Sequence, residues 1–574
     1  MADTLQKPPA IPDSGKIDQE LQRHLTYLQR PVEEDEAKEA TTSPIFTASV
    51  RKHANTLLQS SSSSGGSRIP QKLFPQSCLL ACEADDDGRE GGGDGGGVGS
   101  YGERDTRVFY NVSAPSSMFI CGSQGSGKSH TLSCVLEGCL IPSEVSDLPR
   151  PLAGVVFHYD TFISDRGGAP CEAAFIASHP GVKVRVLCPP TNFRAIQETY
   201  KAIPNATVEM LQLSQSDLNT QRMLDLMAVG DGNMPLYLHV LQRILREMRI
   251  EQQQQPSWQS SSFRYGEFKK RLLDEALTGQ QMAPLHQRLD TLESFMVKEH
   301  TTCPQAPSGV WKQTKPIPAG TDWTPVPGQL TIVDLSCPCV TPEMACSLFN
   351  ICLSLFLEQD QQQQPAPSLS SIPPPRCRPP IGRIVALDEA HKYLSADTGT
   401  DAAGLTRTLL ATIRLQRHLG VRVVVSTQEP SVSPRLLDLC SATVVHRFTS
   451  PAWMGVLRGH LAARDGGKDG GQQQLFDEVV SLKFGEALLF APSALVGMEV
   501  SSGGGGGGGE RDGLVEGGGE HGGGDDGSGG GASGVSEAKP KPVRMSVKRL
   551  GDEVLKIRVR NRITVDGGKS ILAE

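Results

Sequence analysis

A glycine-rich stretch at residues 122–129 constrains this chain more than any other part of its sequence. It reads GSQGSGKS, which matches the spacing G-x-x-x-x-G-K-[S/T] in full. The apolar run SMFIC (117–121) precedes it, and HTLSCVLEGCL (130–140) follows it with apolar residues at helical spacing. A strand, a tight glycine turn and a helix in this order are typical of a P-loop, whose backbone N–H groups point at phosphate.

The residues of this stretch have distinct expected roles. Gly125 and Gly127 allow the backbone to turn its N–H groups toward phosphate. Lys128 is expected to reach the terminal phosphates, and the Ser129 hydroxyl to bind Mg²⁺. The sequence contains no N-K-x-D motif of the kind that reads guanine, so the predicted cofactors are ATP and Mg²⁺. The predicted nucleotide-binding residues are Gly122, Ser123, Gln124, Gly125, Ser126, Gly127, Lys128, Ser129 and His130.

Two consecutive carboxylates form the complementary signal, which we interpret as a Walker B motif. Asp388 and Glu389 directly follow the apolar run 384–387, so they lie at the carboxyl end of a predicted strand, where α/β sheets bind ligands. Asp388 is predicted to hold the metal, and Glu389 to orient and deprotonate the attacking water. This pair favours hydrolysis over transfer to a bound acceptor. The alternative is that both residues only cap the next helix.

A glutamine and two arginines complete the predicted catalytic set. Gln428 follows the buried run VRVVVST (421–427), where it could sense the terminal phosphate or position water, or simply end the strand. Upstream, Arg414 and Arg417 are candidates for an arginine that crosses a subunit boundary to neutralise the transition state.

Continuous apolar runs separated by helical patterns predict an α/β fold with a mostly parallel central sheet. One clear helical pattern starts at Thr341, a residue that can cap a helix, with Pro342 in the first turn. The predicted strands are 117–121, 154–159, 182–188, 330–336, 383–389, 421–427, 442–448 and 486–491.

Composition divides the chain into a core and low-complexity segments. Residues 1–104 are predicted to be a disordered tail, since they are rich in Ser, Gly, Pro and charge. The ATPase core is predicted at 105–500, with a strand-free helical insertion at 206–300 and a disordered loop at 359–380. A Gly-rich disordered linker is expected at 501–542, and a C-terminal strand segment that returns to the core at 543–574.

The remaining composition excludes some functional classes. The formal net charge of −8 indicates no global basic field for nucleic acid, so DNA binding would need a local surface. The basic row Lys556, Arg558, Arg560 and Arg562 could be such a surface, or could protect a sheet edge from pairing. No apolar run is long enough to span a membrane and no signal peptide is evident, so we expect an intracellular protein, cytoplasmic or nuclear. The scattered cysteines are expected to be core thiols.

Five stretches together resemble the HerA branch of the HerA-FtsK superfamily of ring-forming ATPases. They are, in order, FICGSQGSGKSHTL, LTIVDLSCPCVTPEMACSLFNICLSLFL, RIVALDEAHKYL, IRLQRHLGVRVVVSTQEPSVSPRLLDLCSATVVHRF and VLKIRVRNRITVDGGKS. The resemblance implies a RecA-like core, a hexameric ring with ATP between neighbouring subunits, and movement of DNA or protein through a central pore. It also implies Lys128 and Ser129 as the P-loop pair, Asp388 as metal carboxylate, Glu389 as base, Gln428 as sensor and Arg417 as finger.

Two other functions are compatible with parts of the sequence. A nucleotide-dependent scaffold or switch would bind ATP with little or no turnover and use the tails to contact protein partners. A DEAH-box helicase would share the letters of residues 388–391, but Lys128 and Asp388 are separated by about 260 residues, too many for that family. We therefore predict Mg-dependent ATP hydrolysis, with a DNA translocase as one form that the resemblance implies.

Overall fold

The structure of the protein is a computed structural model. It describes residues 24, 40–60, 72–84, 105–161, 167–227, 236–254, 263–275, 277–301, 320–362, 381–394, 399–430, 432–460, 470–501 and 544–567.

Within these residues, sixteen strands join one mixed sheet. The strands are β1 (Ile45–Thr47), β2 (Ser77–Glu83), β3 (Arg107–Tyr110), β4 (Ser117–Cys121), β5 (Ser146–Asp147), β6 (Ala153–His158), β7 (Lys183–Cys188), β8 (Ala206–Met210), β9 (Gln329–Asp334), β10 (Arg383–Leu387), β11 (Val421–Thr427), β12 (Ala442–Val445), β13 (Glu486–Phe490), β14 (Leu495–Ser501), β15 (Arg544–Arg549) and β16 (Leu555–Val559). The helices are α1 (Ala48–Ser60), α2 (Lys128–Leu140), α3 (Phe193–Tyr200), α4 (Thr220–Met227), α5 (Leu236–Gln254), α6 (Tyr265–Leu273), α7 (Gly279–Phe295), α8 (Lys298–Thr301), α9 (Pro342–Gln362), α10 (Gly399–Arg414), α11 (Gln416–Leu419), α12 (Pro434–Leu439), α13 (Pro451–Arg458) and α14 (Gly470–Ser481).

The central part of the sheet is parallel, in the order β12-β4-β11-β10-β6-β9-β7-β8. Strands β4, β10 and β11 are buried along their whole length, which explains their continuous apolar sequences. Strand β11 lies between β4 and β10, so the residues that follow these three strands meet at one edge of the sheet. The predicted α/β class with a mostly parallel sheet is confirmed.

Both faces of the parallel sheet are covered by apolar side chains. On one face, Met118 and Ile120 of β4 pack in a cluster with Leu132 of α2. On the other face, Phe119 belongs to a cluster with Phe349 of α9. This two-sided burial fixes the position of the loop that joins β4 to α2.

The remaining strands are mostly antiparallel and extend the sheet beyond β12. Strand β13 pairs with β12, and the C-terminal strand β16 lies between β13 and β2. Strands β3, β1, β14 and β15 continue the sheet, with β14 parallel to β1. The C-terminal strand β16 is therefore an internal strand of the sheet, separated by β13 and β12 from β4, the strand that precedes the P-loop.

The predicted disordered tail at 1–104 is wrong for two of its parts. Residues 40–60 contain β1 and α1, and residues 72–84 contain β2. The ring of Phe46 stacks on that of Phe74, with centroids 3.8 Å apart, and on that of Phe109 at 5.6 Å. Strand β1 has only three residues, so its apolar pattern is too short to identify in a polar sequence.

The strand-free insertion at 206–300 is also wrong at its beginning. Strand β8 pairs with β7 and is the last strand at one edge of the sheet. Its side chains are exposed or half-buried, so it lacks the continuous apolar run by which the other parallel strands were predicted. Helices α4 to α8 follow β8 in the chain. The disordered loop expected at 359–380 is wrong for its first four residues, because α9 continues to residue 362. Residues 363–380 lie outside the described part of the chain.

Cys134, Cys139 and Cys352 are buried in the apolar core, as predicted for core thiols. No helix within the described residues has both the length and the apolar character needed to cross a bilayer. The predicted linker at 501–542 lies outside the described residues, apart from residue 501 at the end of β14.

Candidate active site

The P-loop joins β4 to α2 and adopts backbone angles that favour glycine. Gly125 has φ 71° and Gly127 has φ 114°, both in the left-handed region. A Cβ atom at Gly127 would lie 3.3 Å from the ring of His446, and one at Gly122 would lie 2.7 Å from the Cβ of His446. The glycines are therefore required both by the backbone and by the close packing of His446.

Hydrogen bonds hold the P-loop in place. Ser123 donates from its backbone N and its Oγ to the carbonyl oxygen of Arg447, each over 2.9 Å. The Oγ of Ser126 and the Nζ of Lys128 donate to the carbonyl oxygen of Ser123, at 2.7 and 2.9 Å. The ammonium of Lys128 thus lies over the loop, where phosphate oxygens could replace the carbonyl. Burial lowers the pKa of Lys128, while the nearby Glu389 and Asp388 oppose this effect.

Asp388 directly follows β10 and is buried. Its Oδ2 lies 3.2 Å from Nδ1 of His158, at the end of the neighbouring strand β6, and 3.7 Å from Sγ of Cys171. Its Oδ1 is also buried but has no hydrogen-bond partner among the described residues. Burial opposes ionisation, but His158, Lys392 and Cys171 outweigh it and hold the pKa of Asp388 below its usual value.

Glu389 has φ 50° and ψ 44°, a left-handed conformation that is uncommon for a residue other than glycine. The amide Nε2 of Gln428 donates to its Oε1 over 3.0 Å. Its other oxygen, Oε2, lies 3.3 Å from Nδ1 of His391, a nitrogen that accepts a hydrogen bond from the backbone N–H of Gln428. Oε2 is buried and accepts no hydrogen bond from the described residues. Two neighbouring carboxylates thus each present one unsatisfied acceptor.

The structure brings together Lys128, Asp388, Glu389 and Gln428 from three adjacent strands, β4, β10 and β11. The P-loop strand and the acidic strand are separated by one strand, β11. This is a RecA-like P-loop fold.

The similarities between this chain and known proteins are to solved structures. No protein-family model and no curated protein matches the sequence. The plasmid coupling protein TrwB in complex with ADP and Mg²⁺ has a TM-score of 0.35 and 14% identity, over 74% of this chain and 93% of TrwB. VirB4 of Thermoanaerobacter pseudethanolicus has a TM-score of 0.35 and 10% identity, over 65% of this chain and 86% of VirB4.

B204, the DNA-packaging ATPase from Sulfolobus Turreted Icosahedral Virus, has a TM-score of 0.26 and 9% identity, over 66% of this chain and 92% of B204. These three proteins are P-loop ATPases of the HerA-FtsK superfamily, the group that the sequence resembles. With TM-scores below 0.5, these likenesses assign no role to individual residues of this protein.

The side chains of Ser129 and His130 have neighbours that the sequence did not indicate. The Ser129 side chain lies near Glu172, whose pKa is raised by burial and by the nearby Asp388, against the influence of Arg562. Glu172 therefore adds a third carboxylate beside the predicted metal position. The ring Nε2 of His130 contacts the carbonyl oxygen of Arg560 at 2.8 Å, so only the backbone of His130 is available to a nucleotide.

His446 is another residue that sequence reasoning missed. It is fully buried behind the P-loop, with Nε2 2.8 Å from Oγ1 of Thr131 and Nδ1 2.9 Å from the carbonyl oxygen of Glu486. These bonds are satisfied by a neutral ring that donates from Nδ1 and accepts at Nε2. Burial lowers its pKa to about 4. A single histidine after an apolar strand carries no sequence signal for this position.

Arg417 lies away from the phosphate site of its own chain. It belongs to α11, which precedes β11, whereas Gln428 follows β11. It lines a cavity of about 520 Å³ together with Lys72 and Ser113. The structure therefore does not bring Arg417 to Lys128 within one chain, and its predicted role requires a neighbouring subunit.

Neither expected role of the basic C-terminal row agrees with the structure. Arg560 and Arg562 are buried and pair with the carboxylate of Glu137 on α2, with Arg560 Nη1 2.8 Å from Oε2. Nη2 of Arg558 bonds to Oε1 of Glu486 over 2.9 Å. The row does not form a free basic face, and it does not protect an edge, because β16 has a strand on each side.

Proposed function

We propose that this protein binds ATP with Mg²⁺ and hydrolyses it at the carboxyl edge of β4, β11 and β10. The observation that carries the proposal is the pair of buried acceptors, Asp388 Oδ1 and Glu389 Oε2, without donors among the described residues. A buried unpaired acceptor costs about 1–3 kcal/mol, more when it is charged. Two of them beside a P-loop are expected where a metal ion and a water molecule complete the site.

The residues present suit Mg²⁺, which prefers oxygen ligands. Ser129 and Asp388 would hold it, and Glu172 adds a nearby carboxylate. When bound, Mg²⁺ neutralises charge on the β- and γ-phosphates. Lys128 would exchange its bond to the Ser123 carbonyl for phosphate oxygens.

Glu389 is positioned to act as the base. Because Gln428 occupies Oε1, the other oxygen is left to accept a proton from water. The left-handed backbone of Glu389 supports this role, since such conformations are retained at functional sites when the surrounding structure enforces them. Gln428 would orient Glu389, and through it the attacking water.

A single substitution tests the hydrolase. We expect Glu389→Gln to lower ATP turnover at least about 100-fold while nucleotide binding is kept, because the amide cannot accept the proton. Turnover is measured as phosphate release with Mg²⁺, and binding with a fluorescent ATP analogue. Glu429→Gln is the matched control, because it removes an exposed carboxylate two residues after Thr427. This variant should leave ATP turnover unchanged.

Equal turnover of wild type and Glu389→Gln would disprove the role of the base. If wild type binds ATP tightly but releases no phosphate, the nucleotide-dependent switch is the better description. The isolated position of Arg417 is the observation that favours this second function for a single chain, because a neighbour is then needed to complete the site.

Movement of DNA is an expectation from the resemblance alone. The chain carries a net charge of −8, and the arginines of the C-terminal row are paired with acids. A DNA-translocating ring would therefore need a binding surface other than this row.

A further inference from the structure

We propose that His158, Cys171 and Asp388 form a second cation site, selective for a thiophilic divalent ion such as Zn²⁺, which shares Asp388 with the Mg²⁺ site. One nitrogen, one sulfur and one carboxylate oxygen of these residues lie within 4.8 Å of one another, and all three residues are buried. The part of the inference that concerns competition with Mg²⁺ rests on the proposed function. Binding of the ion itself does not.

The distances between the donor atoms suit a tetrahedral zinc ion. Zinc binds nitrogen and oxygen at about 2.0 Å and sulfur at about 2.3 Å, so tetrahedral ligands are about 3.3 Å (N to O) and 3.5 Å (S to O) apart. Here Nδ1 of His158 lies 3.2 Å, and Sγ of Cys171 3.7 Å, from Oδ2 of Asp388. An ion could therefore enter with little movement of these side chains. Three protein ligands leave a fourth position for water.

The three ligands are held by rigid parts of the fold. His158 ends β6 and Asp388 follows β10, and these strands are neighbours with Phe157 opposite Leu387. Behind Cys171, its backbone N–H donates to Oη of Tyr200 over 2.9 Å. Tyr200 in turn donates to Oδ2 of Asp334 over 2.6 Å. Such outer contacts orient the ligands of a metal site.

The two oxygens of Asp388 have different surroundings. Oδ2 faces the imidazole and the thiol, whereas Oδ1 has no partner among the described residues. Magnesium prefers oxygen, and zinc accepts nitrogen and sulfur, so the two ions differ in the side of the carboxylate that they use. When zinc binds, the thiol releases its proton to solvent, and thiolate and carboxylate together balance the charge of the ion.

Occupation of this site is expected to inhibit ATP hydrolysis. The ion would draw Asp388 toward His158 and Cys171 and weaken its hold on Mg²⁺. Inhibition by Zn²⁺ should therefore be relieved by Cys171→Ser, which removes the thiolate without altering a residue of the proposed ATPase machinery.

Cobalt titration tests the site directly, because thiolate ligation gives Co²⁺ a charge-transfer band in the near ultraviolet. We expect wild type to show this band at one Co²⁺ per chain and to lose it when Zn²⁺ is added. Cys171→Ser should lose the band and bind Co²⁺ at least about 100-fold more weakly, since even outer contacts of metal sites contribute 10–100-fold. Cys139→Ser is the matched control, a buried thiol outside the cluster that should keep the band.

The inference is overturned if wild type shows no band, or if Cys171→Ser keeps it. Both results would mean that the three residues form only a buried hydrogen-bond network. Retained binding of the fluorescent ATP analogue by Cys171→Ser shows that the variant is folded. A wild-type protein that binds Co²⁺ through Cys171 but does not turn over ATP would contradict the proposed function and leave the cation site intact.

Discussion

His446 illustrates how single residues support the P-loop without touching a nucleotide. Its ring packs against Gly127, and its Nε2 bonds to Thr131, one turn into α2. A charged ring at this position would be buried close to Lys128, whose charge contributes to the low pKa of His446. The neutral ring is therefore part of the folded state.

This burial predicts a pH-dependent stability. The pKa of His446 is about 4 in the folded protein and about 6.5 in an unfolded chain, so between these values only the unfolded chain takes up the proton. Stability is complete above pH 6.5 and falls as the pH is lowered toward 4. We expect His446 to account for a loss of about 2 kcal/mol in the free energy of unfolding between pH 7 and pH 5.

Denaturant unfolding of wild type and His446→Gln at both pH values measures this contribution. The variant should be less stable at pH 7 but should lose about 2 kcal/mol less than wild type between the two pH values. The exposed His53 provides the control, since His53→Gln should leave the pH dependence unchanged. A variant with the pH dependence of wild type would refute the role of His446.

Residues of the site could be predicted from the sequence only where they belong to a continuous motif or directly follow a predicted strand. Lys128, Asp388 and Gln428 follow apolar strands, and parallel strands bring such positions to one edge. Glu172 and His446 reach the site from a short 3₁₀ helix and from the end of β12, and their partners lie far away in sequence. No local pattern specifies such contacts, so the supporting residues became visible only in the folded chain.

At the scale of elements, strand prediction followed burial. Strands covered on both faces, such as β10 and β11, have continuous apolar sequences and were predicted nearly to the residue. Strands β1 and β8 were missed because one is three residues long and the other is polar and exposed. In β16, Ile557 and Val559 are buried and alternate with the more exposed Arg558.

The attachment of the C-terminal segment to α2 depends on one carboxylate. Glu137 is fully buried and accepts from Arg560, from the hydroxyl of Thr564 and from the backbone N–H groups of Ile563 and Thr564. Arg562 lies beside the same carboxylate, and its Nη1 lies 3.1 Å from Oε1 of Glu172. The end of the chain is thus connected by buried polar contacts to α2, the helix that follows the P-loop.

Neutralising this carboxylate should be strongly destabilising. Glu137→Gln leaves two buried arginines without their shared partner, and we expect the free energy of unfolding to fall by about 3–5 kcal/mol. Denaturant unfolding measures the change. Glu198→Gln, which breaks the exposed pair with Lys201, is the matched control and should cost less than about 1 kcal/mol. Similar losses in the two variants would show that the buried pairing does not anchor the segment.

At the scale of the whole molecule, Arg417 and the phosphate site of its own chain lie at opposite ends of β11. Strand β11 separates Arg417 from Gln428, and its seven residues span about 23 Å. Arg417 therefore cannot reach phosphate bound at Lys128 of its own chain. If it acts as the arginine finger that the resemblance implies, it must enter the site of a neighbour.

Mixing two inactive variants tests whether Arg417 acts in the ATP site of a neighbouring subunit. Arg417→Ala should lower ATP turnover at least about 1,000-fold, the loss expected for an arginine finger, and Lys128→Ala should abolish it. A mixture of the two should regain turnover, because a Lys128→Ala subunit supplies Arg417 to the intact P-loop of an Arg417→Ala subunit. The same mixture made with Arg414→Ala tests the neighbouring arginine on α10. Normal turnover of Arg417→Ala alone, or a mixture no more active than its parts, would exclude Arg417 as a finger between subunits.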